Sequence, residues 1–340
     1  MLKPWTGKVV PSAEISSTVA RAVATPSACV PDGAILLTYT NAFHTRLRTL
    51  QFARLNTSCF LARVVTVTYG PGSDDGIGAW RVPAPTVPPS NYKKGGYMEL
   101  IWYKWRLMHD ALRVARVVLF VDSDVVLFRN PFDALGAAAL GAAAFRYQSE
   151  LACDAASCAA VPRRRGDRVA GSPPEICSLN GGMLLATSES RPIVERVIAR
   201  EPNFAAHWGN ASYRMLLFDQ DISDEEVRRD GAQSSCPLPV DRFVAFCWWA
   251  WGPKRGNRTH FDRLWPCRLA TYHTNCLTTV GDKERSMQRM LQKTAHCVGG
   301  GVDRNRLGMW GPKASPAEAA RAKGRGSPKR GRGTSARPRG

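Results

Sequence analysis

Short apolar, β-prone runs alternate along this chain with segments whose apolar residues recur at helical spacing. Residues 34–40 (Ala-Ile-Leu-Leu-Thr-Tyr-Thr) form the first such run, entered from the turn Pro31-Asp32-Gly33. Residues 44–57 then place Leu47, Leu50, Phe52 and Leu55 at roughly helical intervals, and 63–69 read as a second strand stopped by Gly70-Pro71-Gly72. A strand, helix, strand succession of this length predicts a βαβ unit. Residues 70–96, rich in Gly and Pro, predict a loop, and the helical pattern returns over 97–115 with Met98, Ile101, Trp102, Trp105, Met108 and Leu112. Residues 117–121 (Val-Val-Leu-Phe-Val) are continuously apolar, as a strand buried on both faces would be, and they run into Asp122-Ser123-Asp124 and a further apolar stretch, 125–128.

Beyond it, the Ala-rich 134–144 predicts a helix, the Cys/Pro/Arg/Gly-rich 150–176 a loop, and 178–186 a turn entering a strand. Residues 191–200 read as a helix with Pro192 in its first turn, 218–222 open another, and 284–293 are the last. The block 240–251, with three tryptophans (248, 249 and 251), matches no single element; 271–275 and 281–283 close the core. No internal repeat occurs. The expected organisation is a leader over 1–30 with no clear period, one mixed α/β domain over 31–312, and a tail over 313–340.

Composition narrows this only in part. A chain of 340 residues, 44% hydrophobic and 22% charged, can bury a sizeable core, which excludes collagen, global disorder and a disulfide miniprotein. Nothing approaches the roughly 18–20 uncharged apolar residues of a membrane helix, and the start lacks the apolar core of a cleaved signal. The chain therefore reads as cytosolic, or as membrane-associated only through an N-terminal anchor missing from this sequence. The net charge of +19 is concentrated: residues 313–340 hold nine Lys/Arg against Glu318, a net of +8. That tail, built of Gly, Ala, Ser, Pro and Arg, reads as disordered and solvated, able to attract polyanions through counterion release. No RNA-recognition, helix-turn-helix or zinc-finger pattern accompanies it, so specific nucleic-acid reading is not expected. A GxGxxG turn and a P-loop are also missing, against dinucleotide oxidoreductases and kinases.

The ten cysteines include no CxxC pair, the closest being Cys153 and Cys158, which argues against a zinc ribbon or a redox pair. Their even number, with sequons at Asn56, Asn210 and Asn257, points to disulfides and the lumen of the Golgi or endoplasmic reticulum. The Arg-Gly-Asp at 165–167 is read as chance.

Asp122 and Asp124 are the candidate chemistry. In an extended segment they point the same way, beyond the carboxyl end of a buried strand, where open α/β sheets bind ligands. Their oxygens can then converge on Mg²⁺ or Mn²⁺, which neutralises a diphosphate. The plainer reading is a turn with two solvated aspartates. Here the sequence resembles the nucleotide-diphospho-sugar transferases of the GT-A fold, most closely glycosyltransferase family 77, with family 8 also similar. The resemblance rests on Lys104 with VLFVDSDVVLFRNPF (118–132), LNGGMLL (179–185), DQDI (219–222), and HTN (273–275) followed by Lys283.

The resemblance implies an α/β GT-A fold, a Rossmann-like mixed sheet flanked by helices, and metal-dependent transfer from a UDP-sugar to a glycan or glycoprotein with retention. It implies Asp122, Asp124 and His273 on Mn²⁺ (or Mg²⁺), with Asp122 also meeting the sugar nucleotide. Lys283 would clamp the diphosphate, and Lys104 would touch sugar or phosphate, while Arg106 is read as solvent-facing. Asn180 and Gly181, with Gly182, would make a turn under the donor sugar. Asp219 would bond the sugar hydroxyls, with Asp219 or Gln220 as the nucleophile of a covalent route; front-face attack is the other route. Thr38, Tyr39 and Thr40 end the first strand and would meet the nucleotide base, Tyr39 by stacking. Two other readings stand beside this one: a catalytically inactive GT-A scaffold acting as a basic polyanion-binding protein, and a nucleotide-sugar hydrolase or pyrophosphorylase using the same metal site.

Overall fold

The structure, a computed structural model, describes residues 12–41, 43–55, 57–69, 77–84, 97–136, 145–149, 179–201, 219–229, 235–239, 242–245, 267 and 269–297. The asparagines of the three sequons, most of the Ala-rich segment, the 150–176 loop, the Arg-Gly-Asp, the tryptophans of 240–251 and the basic tail lie outside them.

The elements run α1 (Ser12–Ala24), β1 (Ala34–Asn41), α2 (Thr45–Gln51), α3 (Ser58–Leu61), β2 (Val64–Tyr69), β3 (Trp80–Ala84), α4 (Tyr97–Ala111) and β4 (Val117–Val121). There follow β5 (Val125–Leu127), α5 (Pro131–Leu135), β6 (Phe145–Ser149), β7 (Leu179–Thr187), α6 (Arg191–Ala199), α7 (Asp219–Arg229), β8 (Ser235–Pro237), β9 (Phe243–Ala245), β10 (Thr271–His273) and α8 (Val280–Lys293). Seven strands form one sheet in the order β3-β2-β1-β4-β7-β6-β8, and three form a second in the order β5-β10-β9. β1, β2, β3 and β4 are parallel, while β7 runs antiparallel to both β4 and β6. This is a mixed α/β sheet flanked by helices, the class expected from the sequence.

Strand alternation divides the core. Ile35, Leu37 and Tyr39 of β1, with Val118 and Phe120 of β4, face α1, α4 and α6 in one cluster. Ala34 and Leu36, with Leu119 and Val121, face Phe52, Leu55, Phe60 and β5 in another. All nine residues of β7 are buried, which fits a strand enclosed on both sides.

Four expectations change. The leader contains α1, whose Ile15, Val19 and Ala22 are fully buried against the large sheet's cluster. Their i, i+4, i+7 spacing is helical, but Ser, Thr and Ala around them lower the contrast. The 70–96 segment contains β3; Pro83 is tolerated there because an edge strand donates on one side only. The helix expected over 44–57 stops at Gln51, and Phe52, Leu55 and Phe60 stay buried through a turn and α3. Tertiary packing overrides the local period there. Finally, α8 begins at Val280, with Thr279 Oγ1 accepting from Asp282 N at 3.1 Å, so Lys283 sits in its first turn.

Cys29 pairs with Cys59 and Cys267 with Cys297, each across a sequence separation of 30, and Cys236 and Cys276 are also disulfide-bonded. The first bond ties the entry to β1 to α3; the second ties the approach to β10 to the end of α8. A double Cys29→Ser/Cys59→Ser variant is expected to lose about 3–4 kcal/mol of stability, because a loop of this length is no longer closed in the unfolded chain. Equilibrium denaturation in urea measures it, and a loss below about 1 kcal/mol would contradict the estimate. Among the described residues no helix is long and apolar enough to cross a membrane.

Candidate active site

β2 and β3 lie to one side of β1 and β4 to the other, so the strand order reverses between β1 and β4. All four strands point the same way, and the crevice at their carboxyl ends is where such a sheet binds ligands. Asp122 is the first residue beyond β4. The Asp122-Ser123-Asp124 segment is a turn rather than extended, with Val125 N donating to Asp122 O at 3.2 Å. The carboxylates therefore converge by chain reversal and not by strand alternation.

β10 completes the arrangement. It pairs antiparallel with β5, placing His273 opposite Val125. Thr274 N and Oγ1 both donate to Asp124 O, at 3.1 and 3.0 Å, and fasten the two segments together. On the other side Asp122 N donates to Gly182 O and Gln51 Nε2 donates to Asp122 O, each at 2.8 Å. One ligand atom each from Asp122, Asp124 and His273 lies within 4.8 Å of the others.

The two carboxyls are driven apart in acidity. Burial raises the Asp122 pKa, and Asp124 adds to the rise; Lys104, His273 and a hydrogen bond from Tyr39 pull it down without cancelling it. Burial also works to raise Asp124, but Lys283 (2.5 Å from Oδ2) and His273 (Nε2 3.3 Å from Oδ1) outweigh it. The Asp124 carboxyl is thus held well below the usual carboxylate range. Asp122 Oδ1 is buried with no hydrogen-bond partner. An orphaned carboxylate oxygen beside a second carboxylate and an imidazole is a donor set that fits a divalent cation such as Mn²⁺ or Mg²⁺.

A second charged pair lies behind this one. Lys104 Nζ on α4 sits 2.7 Å from Asp219 Oδ2, with the two side chains 4% and 2% exposed, and donates to Gly181 O at 3.1 Å. Trp105 Nε1 donates to the same Asp219 oxygen at 3.1 Å. Asp219 Oδ2 therefore carries both an internal ion pair and a hydrogen bond. Gln220 Nε2 donates to Leu179 O at 3.2 Å.

Asn180, Gly181 and Gly182 lie inside β7 instead of forming a turn. The glycines are needed for close approach to side chains. A Cβ on Gly181 would stand 2.3 Å from Lys104 Nζ, and one on Gly182 would stand 2.0 Å from His273 Cε1. Asn180 Oδ1 accepts from Gly182 N at 2.9 Å.

Thr38 and Thr40 are fully buried within β1, and the Tyr39 ring is packed against Phe120 and Tyr69. Tyr39 thus reaches the site through its hydroxyl, on Asp122, and not through its ring face. The exposed aromatic of this region is Phe43, 62% exposed, in the turn that Asn41 Oδ1 builds by accepting from Phe43 N and His44 N. Arg106 pairs with Glu201 at the surface, as a solvent-facing residue does.

Sequence reasoning missed three further groups: Gln51, which braces the turn; Gln148, which meets His273; and His44, whose Nδ1 lies 3.1 Å from Ser123 Oγ. None belongs to a recognisable motif, and only the fold brings them to the crevice. Burial lowers the His44 pKa from 6.5 to about 4, with Lys283 also lowering it and Asp124 opposing. The folded state holds His44 neutral while the unfolded chain takes up a proton below 6.5, so stability present above 6.5 is lost as pH falls toward about 4. A His44→Gln variant should flatten this slope in melting temperatures measured between those pH values; an unchanged slope would remove His44 as its source.

A family model described as nucleotide-diphospho-sugar transferase matches residues 81–287. Among solved structures the chain is similar to a glycosyltransferase involved in the glycosylation of the major capsid of PBCV-1, at 11% identity over 75% of this chain and 99% of that one, TM-score 0.42. It is also similar to the apo form of mouse xyloside xylosyltransferase 1, at 15% identity over 73% and 99% of the two chains, TM-score 0.41. No curated protein matches it.

Proposed function

Since the chain belongs to the nucleotide-diphospho-sugar transferases, we propose that it moves a sugar from a UDP-sugar to a glycan or glycoprotein acceptor, with retention, using Mn²⁺ or Mg²⁺ held by Asp122, Asp124 and His273. The observation that carries this reading is the convergence of those three side chains, with Lys283 beside them, at the crevice between β1 and β4.

The cation, when bound, neutralises charge on the diphosphate leaving group. Lys283, a compact point charge in the first turn of α8, does the same from the other side, where the helix N-terminus also favours an anion. Lys104 has three N–H donors, of which Asp219 and Gly181 take two. Among the described residues the third has no hydrogen-bond partner, which leaves it to a donor-sugar or phosphate oxygen. Asp219 holds Lys104 in this posture, so we assign it an orienting role. With Asp219 so engaged, front-face attack is the route to retention that we favour over a covalent one. Phe43 supplies the apolar face for the nucleotide base that Tyr39 does not present. Disulfide-bonded cysteines support a secretory compartment, the lumen of the Golgi or endoplasmic reticulum.

Thermal unfolding of the full chain with a panel of nucleotides, each with and without Mn²⁺, tests this. UDP with Mn²⁺ should stabilise the folded state by about 2.7 kcal/mol at a hundredfold excess over Kd, and neither alone should match it. If no nucleotide–metal pair moves the transition of a folded sample, the transferase assignment of the site falls.

A further inference from the structure

β6 and β7 pair regularly from Phe145↔Ala186 to Tyr147↔Leu184, and then the register jumps to Gln148↔Asn180. Residues 181–183 of β7 thus have no partner on β6. The irregularity opens a space on that side of the sheet beside Gly182, as bulges near active sites do, and the His273 ring fills it: a Cβ on Gly182 would overlap His273 Cε1.

Gln148, the first residue beyond the jump, is fully buried. Its Oε1 lies 2.8 Å from His273 Nδ1, while His273 Nε2 faces Asp124 Oδ1 at 3.3 Å. The two ring nitrogens therefore have distinct surroundings: one meets a neutral amide oxygen, the other the carboxylates. With Oε1 as the amide atom facing the ring, the contact places the proton on Nδ1, since an amide oxygen only accepts. The proton held on Nδ1 leaves Nε2 as the nitrogen that can ligate a cation set beside Asp122 and Asp124.

We infer that Gln148 is a positioning residue for the metal centre: it accepts the Nδ1–H of His273 and so fixes the tautomer and the ring plane in which Nε2 coordinates a divalent cation. It touches neither cation nor donor, and it acts through His273, as outer-shell partners of metal-bound histidines do. The inference rests on the metal-site reading above and names a residue that no motif marks.

Two readouts test it on the full chain. The first is ¹⁵N-resolved NMR of the histidines without metal, which reports the tautomer directly. His273, identified by its loss in His273→Ala, should be protonated at Nδ1 in the wild type and should lose that preference in Gln148→Leu. The second is Mn²⁺ affinity in the presence of UDP, read by electron paramagnetic resonance. Gln148→Leu should weaken it about 10- to 100-fold, and Gln148→Glu, which keeps an acceptor, should return it to within about threefold of wild type. Two outcomes overturn the inference: a wild-type His273 protonated at Nε2, or a folded Gln148→Leu binding Mn²⁺ as wild type does. If Gln148→Leu does not fold, the wild-type tautomer and the Gln148→Glu affinity decide. Failure of the metal-site reading looks different: wild type binds no Mn²⁺ at all, whatever its tautomer.

Discussion

Replacing Asp124 with asparagine should lower sugar transfer at least about 100-fold while leaving the chain folded. Asp124 stands at the centre of the charge arrangement: its two oxygens face Lys283 and His273, and its backbone oxygen receives both bonds from Thr274. The substitution preserves the backbone bonds, so the turn keeps its shape. It removes the charge, so a cation would lose one of two carboxylate ligands and Lys283 loses this ion pair.

Some stability goes with it, and the sign is fixed by the depressed pKa. A carboxyl held below its unfolded value near 3.8 contributes stability that is present above that pH and lost as pH falls through the folded-state value. Asp124→Asn should therefore melt lower than wild type at pH 7, with the difference shrinking as the solution is acidified below about pH 4. Circular dichroism should report an intact fold, and UDP with Mn²⁺ should no longer raise the melting temperature. Turnover above a tenth of wild type would refute the metal assignment.

The second large effect is expected at Lys104. Replacing it with methionine leaves the Asp219 charge buried beside Trp105 with no counterion among the described residues, and breaking a buried pair from one side costs about 3–5 kcal/mol. Adding Asp219→Asn removes the orphaned charge and keeps an acceptor for Trp105 Nε1, so the double variant should regain more than half of the loss. Because Asp219→Asn alone also strands a buried charge, on Lys104, the coupling energy of the cycle exceeds this regained stability of about 2 kcal/mol. Transferase activity should not return with stability, because the third Lys104 donor is gone in both variants. Urea denaturation of the two single variants and the double measures the coupling. Additive effects would show that Lys104 and Asp219 do not act as a buried pair, and recovered activity would remove Lys104 from donor binding.

Asp122 and Asp124 were legible as candidates because two acids follow a continuously apolar strand, and as ligands, with His273 and Lys283, because a family pattern names them. The family model bears out the nucleotide-diphospho-sugar transferase reading, and the order of the strands fits it. The shape of the site was less legible. Asp122 and Asp124 meet through a turn, the glycines make room for Lys104 and His273 instead of turning the chain, and Tyr39 offers a hydroxyl where a ring face was expected. The turn is a local feature, but the room the glycines make arises because a residue's partner lies far off in sequence: 77 positions separate Lys104 from Gly181.

Local information suffices wherever burial imposes a period, and in this chain it fixes β1, β2, β4, most of β7, α4 and α6, and hence an α/β class. It fails at α1, where small polar residues dilute the apolar stripe, and at β3, whose proline is acceptable only at a sheet edge. The sequence also determines which groups carry charge and which can ligate a cation. Tertiary structure alone decides their environment. The same burial that drives the fold raises Asp122, and at Asp124 the neighbours that chain topology supplies, Lys283 and His273, outweigh it.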